Sequence, residues 1–381
     1  MDEALIPMSD TRLRVGVVLG GRSSEREISL ESGRNIYYNL DPGRYEPVAI
    51  FMDSAGRLWA MSLPLLVQNT CRDIEDRLGH DGERVRYEEL AERVDFVYIG
   101  LHGKYGEDGC FQGLLELLDL PYSGSGVLGS ALGMDKAVSR RLLAGAGIDV
   151  PVTVEVVRAE WQADPARITA NVADRLGFPC VVKPAREGCS TALAVVHQPE
   201  ALAAAIEEAL CWDNVALVEE HLTGTEVTVV VLEGGDRGID GGAVEGGMLV
   251  DSSAIEHRPY AFQPTETPPV GDFLTIEEKF LPGQGVNVTP ARLAPDVLAR
   301  VREVAVRSFE TLGLSVFARI DMYVTEDGRI VVGEPNTLPG ASPSSTVFLG
   351  PIEEGIAPMD LVTRVIEVSL AAHRAKKGPL G

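Results

Sequence analysis

Hydrophobic residues along the chain fall into two alternating patterns. Short, β-branched apolar runs read as strands, and longer stretches with helical spacing read as helices. Residues 13–19 (LRVGVVL) predict a strand that ends at Gly20 and Gly21. A helical pattern follows from about Arg26 to Leu40 and stops at the turn signal Asp41-Pro42-Gly43. Residues 46–52 and 94–101 (VDFVYIGL) predict two more buried strands. Strands separated by helices imply a parallel sheet covered on both faces. The first α/β domain is therefore set at 1–133. A second, 134–216, holds a helix near 136–147, strands at 179–184 and 192–196 around a small-residue loop, and a helix at 199–211. Strands at 215–220 and 225–233 open the third, 217–381. A Gly-, Ser- and Pro-rich stretch follows at 234–272, read as a functional loop or partial disorder. The pattern then gives a helix at 295–312 and a frayed tail after about 370.

The most informative segment is VFARIDMYVTEDGRIVVGEPNTLPG, residues 316–340. Asp327-Gly328 between two alternating runs predicts a two-residue hairpin turn. Asp321 then lies opposite Glu334 and Arg319 opposite Asn336, and the period of two puts all four on one face. Carboxylates side by side repel and destabilise a sheet. Exposure at a fraying end or pairing with Arg319 relieves that repulsion; so does a hard dication. Oxygen donors from Asp321, Glu334 and Asn336 suit Mg²⁺, which keeps waters and shares phosphate oxygens. Arg319 then faces developing negative charge.

Composition narrows the classes. A length of 381 residues allows two or three domains, and 24% charged residues is ordinary for a globular chain. With 57 acidic against 34 basic residues, the net charge of −23 argues against general nucleic-acid binding and against docking on anionic membranes. An acidic chain that binds a nucleotide must concentrate cations locally or recruit Mg²⁺. The N-terminus MDEALIPMSD lacks a basic-then-apolar leader, and no apolar run approaches the ~18 residues of a membrane span. Five cysteines (71, 110, 180, 189, 211) without a CxxC pair read as reduced thiols of a cytoplasmic protein. Cys110 and Cys180 stand in apolar contexts and are expected in the core, whereas His221 and His257 read as structural or surface residues.

Two lysines suggest a phosphate site. Lys136 starts a helix and also reads as a solvated surface residue. Lys183 ends an apolar strand, where burial demands a partner. The loop REGCST (186–191) that follows can present backbone N–H groups to phosphates, and an ordinary hairpin loop reads the same. It is not a Walker loop. LVEEHLTGTE (217–226) puts carboxylates at another strand end, suited to reading adenine and ribose or simply solvated.

Together these segments resemble the D-alanine–D-alanine ligase family of ATP-grasp enzymes. The resemblance runs in order through GGRSSEREISLESG (20–33), LHGKYGEDGCFQGLLELLDLPYSGSG (101–126), SALGMDK (130–136), VVKPAREG (181–188), EEHLTGTEVTV (219–229), EEKFLPG (277–283), ARIDMYV (318–324) and GEPNTLPGASPSS (333–345). It implies a three-domain ATP-grasp fold: an N-terminal parallel-sheet domain and two α+β domains enclosing ATP. It implies a ligase that phosphorylates one amino acid's carboxylate and joins it to the amine of a second, D-alanyl–D-alanine by default. Position by position, Lys136 and Lys183 contact the ATP phosphates with loop residues Glu187 and Ser190, and Glu219, Glu220, Leu222 and Glu226 surround adenine and ribose. Asp321, Glu334 and Asn336 hold two Mg²⁺, with Mn²⁺ an alternative. Glu25 holds the first amino group and His102 lies near its carboxylate. Arg319 and the Gly340 N–H stabilise the tetrahedral intermediate, and Ser345 and Lys279 lie near the second carboxylate. The resemblance also implies a homodimer.

The chain departs from the family pattern at three places. Cys189 stands where a lid-loop serine is usual, with Thr191-Ala192 in place of Val-Gly. Phe280 follows Lys279 where tyrosine is usual. Cys is a poor hydrogen-bond donor and Phe has none, so the network that closes over Glu25 is altered. The stretch 234–271 looks long, and Leu-Thr-Ile replaces aromatic residues near 274–276. Altered acceptor choice, such as D-lactate or a specialised amino acid, is one reading of these changes, and drift is the other. Cys189 reads as a reactive thiol or a passive small residue. A nucleotide-binding regulator without catalysis is the remaining class, and the intact set Arg319, Asp321, Glu334 and Asn336 argues against it.

Overall fold

The computed structural model describes residues 12–188, 190–234, 258–268 and 286–377, and within them the chain builds three sheets. The first apolar run is β1 (Leu13–Gly20). Val15, Val17, Val18 and Leu19 are wholly buried there. Each such side chain contributes about 1.5–3 kcal/mol. β1 pairs in parallel with β2 (Tyr45–Met52) and β5 (Phe96–Ile99). β3 (Leu58–Met61) and β4 (Gly82–Val85) extend the sheet in antiparallel pairing, giving the order β4-β3-β2-β1-β5. The sheet is thus mixed, not wholly parallel. β3 and β4 escape sequence reading because each has four residues, and Glu83 and Arg84 are exposed. α1 (Arg26–Tyr38) lays Leu30, Gly33 and Ile36 on this sheet and ends at Asn39, before the Asp41-Pro42-Gly43 signal. α2 (Cys110–Leu117) begins with Cys110, which is exposed and not a core residue. It starts the helix on the outward face, where an apolar neighbourhood in sequence does not mean burial.

The central sheet has the order β6-β9-β7-β8, from β6 (Thr153–Val157), β7 (Cys180–Pro184), β8 (Ala194–Val196) and β9 (Val215–Glu220). Its neighbours all run antiparallel. α3 (Lys136–Gly145) approaches it with Asp135 as N-cap, whose side chain accepts from the Val138 N–H at 3.1 Å. α4 (Pro199–Trp212) buries Leu202, Ile206, Ala209 and Leu210 against Cys180, Val182, Val196 and Val218.

The third sheet is β11-β10-β13-β14, built from β10 (Gly224–Glu233), β11 (Pro259–Ala261), β13 (Phe317–Thr325) and β14 (Ile330–Asn336). β12 (Thr265–Glu266) adds to β10. β11 and β12 lie inside the stretch 234–272, so part of its described residues 258–268 is sheet edge, joined by irregular segments. α5 (Pro295–Thr311) packs Val301, Ala305 and Phe309 onto this sheet. Of the predicted frayed tail, 371–377 are helix, the end of α6 (Pro358–Lys377), and 378–381 lie outside the described residues. Leu361, Val362, Val365, Ile366 and Leu370 on α6 join the same core as β1 and β5, so the two ends of the chain stabilise each other.

Asp53, just past β2, is 2% exposed and accepts from the Ala55 N–H (3.0 Å), the Arg57 N–H (2.8 Å), Arg57 Nε (2.7 Å) and Trp59 Nε1 (2.9 Å). Burial pushes its carboxyl up, but the Arg57 and Trp59 donors outweigh burial and leave the pKa below the ordinary 3.8. A depressed carboxylate stabilises the fold fully above its unfolded value and loses that contribution as pH falls through the folded one. Asp53→Asn is expected to cost about 1–3 kcal/mol at neutral pH in denaturant unfolding. The gap between variant and parent should narrow below pH 3.8.

Candidate active site

The hairpin β13–β14 sets Asp321 opposite Glu334 and Arg319 opposite Asn336, as the alternation predicts. It reaches that register by another route. The turn is not the two-residue Asp327-Gly328: the Gly328 N–H donates to Thr325 O at 2.9 Å, placing Glu326 and Asp327 at its centre. Gly328 follows with φ of 84°, the left-handed residue of a three-residue loop. Pairing leaves this turn with Met322 opposite Val332, one residue out of the predicted register. Gly333 then forms a bulge that takes up the extra residue and restores the pairing at Asp321.

Asp321 is fully engaged. Arg319 donates to both carboxylate oxygens, at 2.8 and 2.7 Å, Asn336 Nδ2 donates at 3.0 Å, and the Thr228 hydroxyl donates from β10. Glu334 Oε2 lies 3.1 Å from Lys136 Nζ. Each acidic partner of the pair therefore has its own cation, which offsets their mutual repulsion.

Behind them is a buried charge cluster. Lys183 Nζ sits 3.2 Å from Glu219 Oε2, and Arg140 Nη1 sits 2.5 Å from Glu219 Oε1. Arg140 also donates to Gly333 O at 3.1 Å and to Thr153 Oγ1 at 3.3 Å. Burial lowers the Lys183 pKa, and the Glu219 carboxylate opposes that shift. Burial raises the Glu219 carboxyl, but Arg140 and Lys183 outweigh it and hold the pKa below the usual carboxylate range. Arg140 and Lys104 escaped sequence reading, although Arg140 lies four residues after Lys136 on the same helix face. Tyr323 was missed as well, although it alternates with Asp321 on the site face of β13. Its hydroxyl donates to Glu226 Oε2 at 3.2 Å, and burial with that carboxylate pushes the phenol well above its ordinary value.

One cleft is lined by Lys136, Lys183, Glu187, Ser190, Asp321 and Glu334, with Glu226 and Tyr323 at one end. Its roof is formed by Glu187, Gly188, Ser190 and Thr191 of the loop that follows β7. Ser190 and Ala192 have φ of 58° and 50°, left-handed conformations that curl the backbone. Lys136 Nζ donates to Glu187 O at 2.6 Å. Glu219 faces the cation cluster rather than the open cleft. Glu220 points to the other side of β9, accepting from the Val152 N–H at 2.9 Å and meeting Arg329 at 3.3 Å. Leu222 is half-buried just past that strand.

Of the residues expected to meet the first substrate, Glu25 lies against the roof at Gly188. Glu25 is 7% exposed, and a Cβ on Gly188 would lie 2.2 Å from its Oε1, so only glycine permits this approach. His102 is clamped between Glu107 Oε1 (3.0 Å) and Ser32 Oγ (2.8 Å), and Ser32 Oγ accepts from the Ala341 N–H at 3.0 Å. Gly340 and Ser345 are buried beside Ala341, Ser345 sharing a hydroxyl contact of 2.8 Å with Ser342. Cys189, Lys279 and Phe280, with the parts of the long stretch at 235–257 and 269–271 and the Leu-Thr-Ile departure at 274–276, lie outside the described residues, as does His257. Among the described residues, no helix is long and apolar enough to cross a membrane.

Two family models match the chain. The "D-ala D-ala ligase N-terminus" covers residues 14–125 and the "D-ala D-ala ligase C-terminus" covers 142–367. A D-alanine–D-alanine ligase of Kineococcus radiotolerans is 38% identical, over 95% of this chain and 98% of that protein. The solved D-alanine–D-alanine ligase of Coxiella burnetii is 25% identical with a TM-score of 0.78, covering 96% of each chain. That of Bacillus anthracis, complexed with ATP, is 28% identical with a TM-score of 0.69, covering 96% of this chain and 99% of that one.

Removing Arg140 strips Glu219 of one of its two counter-charges. Arg140→Ala is expected to cost about 3–5 kcal/mol in equilibrium unfolding. Arg140→Lys keeps the charge but loses the fork that spans Glu219 and Gly333 O, and should cost less. An alanine variant as stable as the parent would show that Lys183 alone suffices for Glu219.

Proposed function

This chain belongs to the D-alanine–D-alanine ligase family and has its ATP-grasp fold, and we propose that it uses ATP to join two molecules of D-alanine. One observation carries the reading. A single loop, 186–191, roofs a cleft with Lys136, Lys183, Asp321 and Glu334 on one side and packs against Glu25 on the other. Phosphoryl donor and amino-acid acceptor thus meet across one backbone segment.

A carboxylate and an amine do not condense in water unaided. The first carboxylate attacks the γ-phosphorus of ATP, ADP leaves, and an acyl phosphate forms. The amine of the second molecule then adds to the acyl carbon, loses a proton, and expels phosphate. Lys136 and Lys183 offset charge on the phosphates. Glu219 is assigned to holding Lys183 charged and in place, which leaves Leu222 and Glu226 for adenine and ribose, Glu220 being turned to Val152 and Arg329. Glu187 and Ser190 position the roof. Glu25 takes the first ammonium and His102 the first carboxylate. Arg319 and the Gly340 N–H face the oxyanion of the tetrahedral intermediate. Ser345 and Lys279 are assigned to the second carboxylate.

The donor set fits a hard dication: Asp321 and Glu334 line one cleft beside the Asn336 amide, and a dication there would take over the counter-charge that Arg319 now supplies to Asp321. Among the described residues, no cluster of three His, Cys, Asp or Glu could hold an ion unaided. Water and phosphate oxygens must complete the shell, which is the habit of Mg²⁺. We assign two Mg²⁺ there, with Mn²⁺ as an alternative; bound, they neutralise and orient the phosphates. Family membership also supports a homodimer in the cytoplasm and three domains dividing near residues 133 and 216.

Purified protein with Mg²⁺, ATP and D-alanine alone should release ADP and form D-alanyl–D-alanine, read by product mass. Glu334→Gln should lower kcat by about 100-fold or more while melting near the parent temperature. A product formed only with D-lactate or another acceptor would overturn the acceptor assignment and leave the ligase chemistry standing. No ADP with any amino or hydroxy acid would make the chain a nucleotide-binding regulator.

A further inference from the structure

Lys104 belongs to the loop that follows β5 and carries His102, yet its ammonium reaches out of the N-terminal sheet unit. It forms a close ion pair with Glu187 Oε1 and donates to Trp212 O, at the end of α4, at 3.0 Å. The two ends of the pair differ in setting. The Glu187 side chain is 7% exposed and the Lys104 side chain 36%. The buried carboxylate needs a counter-charge, and among the described residues the cation that the structure places on it, Lys104, comes from the N-terminal unit.

Both ends are rigidly tied to groups that handle substrate. On the lysine side, the Ser23 hydroxyl donates to His102 O at 2.6 Å, and Arg22 stacks on the Tyr105 ring at 4.5 Å. These contacts join the Lys104 loop to the segment that holds Glu25. On the glutamate side, the Glu187 carbonyl accepts from Lys136 Nζ, and the next residue, Gly188, lies against Glu25. The base of the loop is fixed separately by Arg186, which meets both oxygens of Asp213 at 2.6 and 3.0 Å. An open cleft lined by Lys104, Arg186, Trp212 and Asp213 lies immediately outside. The pair is therefore the charge contact between that solvent and the roof over the phosphates.

We propose that Lys104 is a positioning residue. Through Glu187 it latches the roof at Glu187 and Gly188 shut against the unit that carries Glu25 and His102. It thereby keeps water from the acyl phosphate until the amine attacks. The proposal rests on the ligase reading. Water attacking the acyl phosphate returns the free carboxylate and phosphate, so a loose latch consumes ATP without forming the dipeptide.

Two measurements test it in the full-length protein. The first is ADP released per dipeptide formed, with D-alanine as substrate. Lys104→Met should raise that ratio about five-fold, the scale of losing one partly exposed ion pair. The melting temperature should stay close to the parent's, and Lys104→Arg should restore the ratio. The second is hydrogen–deuterium exchange across 184–193 with ATP and Mg²⁺ bound, which does not depend on turnover. Lys104→Met should speed exchange there and leave the β1–β5 sheet unchanged. Unchanged exchange overturns the latch whether or not the chain ligates. Faster exchange with an unchanged ratio overturns its role in shielding the intermediate. No ADP release by the parent with any amino or hydroxy acid, with exchange still faster in the variant, would sink the ligase reading and leave the latch.

Discussion

Charge neutrality in a water-poor cleft is the constraint on which the rest of this architecture depends. Lys136, Arg140 and Glu219 are 6, 5 and 4% exposed, and Lys183 lies among them. An ion pair buried this deeply is at best near break-even against apolar packing, but removing one partner is costly. Each charge therefore dictates the place of the next. Glu219 on β9 holds Lys183 on β7 and Arg140 on α3; Arg140 reaches β14 at Gly333; Lys136 on the same helix meets Glu334. One helix, α3, thus fastens the central sheet to the third sheet by polar contacts at the point where phosphates are expected.

The same helix explains why the acidic pair can exist on the hairpin. Asp321 and Glu334 sit directly opposite each other, which a sheet tolerates only with compensation. Arg319 supplies it from within the strand and Lys136 from outside. The Gly333 bulge is part of this device. It corrects the register, and it exposes a carbonyl that Arg140 uses. Bulges re-aim side chains beside active sites, and here the re-aimed residue is Glu334.

Substrate chemistry and nucleotide chemistry are brought together by loops rather than by sheets. The loop 186–191 touches Glu25 and Lys104 from the first unit and Lys136 from α3. The loop carrying His102 is bonded to Ser23 and, through Ser32, to the Ala341 N–H. Loops can afford such roles because scaffolds on both sides hold their ends: α6 packs into the β1–β5 core, and Arg186 pins the roof to Asp213.

Period-two alternation in 316–336 put Arg319 with Asp321, and Glu334 with Asn336, on one side of their strands from sequence alone, because strand geometry is local. Ordered segments resembling one family carried the ligase reading, and strand-then-helix patterns located β1, α1, β7, α4 and α5. Tertiary structure decided what local spacing cannot encode. Cys110 faces solvent because helix orientation is set by packing. Residues 371–377 continue a helix because Leu370 and the turns before it find a core built by β1 and β5. β3 and β4 turn a parallel sheet into a mixed one because four residues carry too little pattern. The turn and the bulge each displace the hairpin by one residue, and their cancellation is invisible in the spacing. Which cation neutralises which carboxylate, Lys136 on Glu334 or Arg140 on Glu219, depends on residues far apart in the chain, and only folding brings them within a few ångströms.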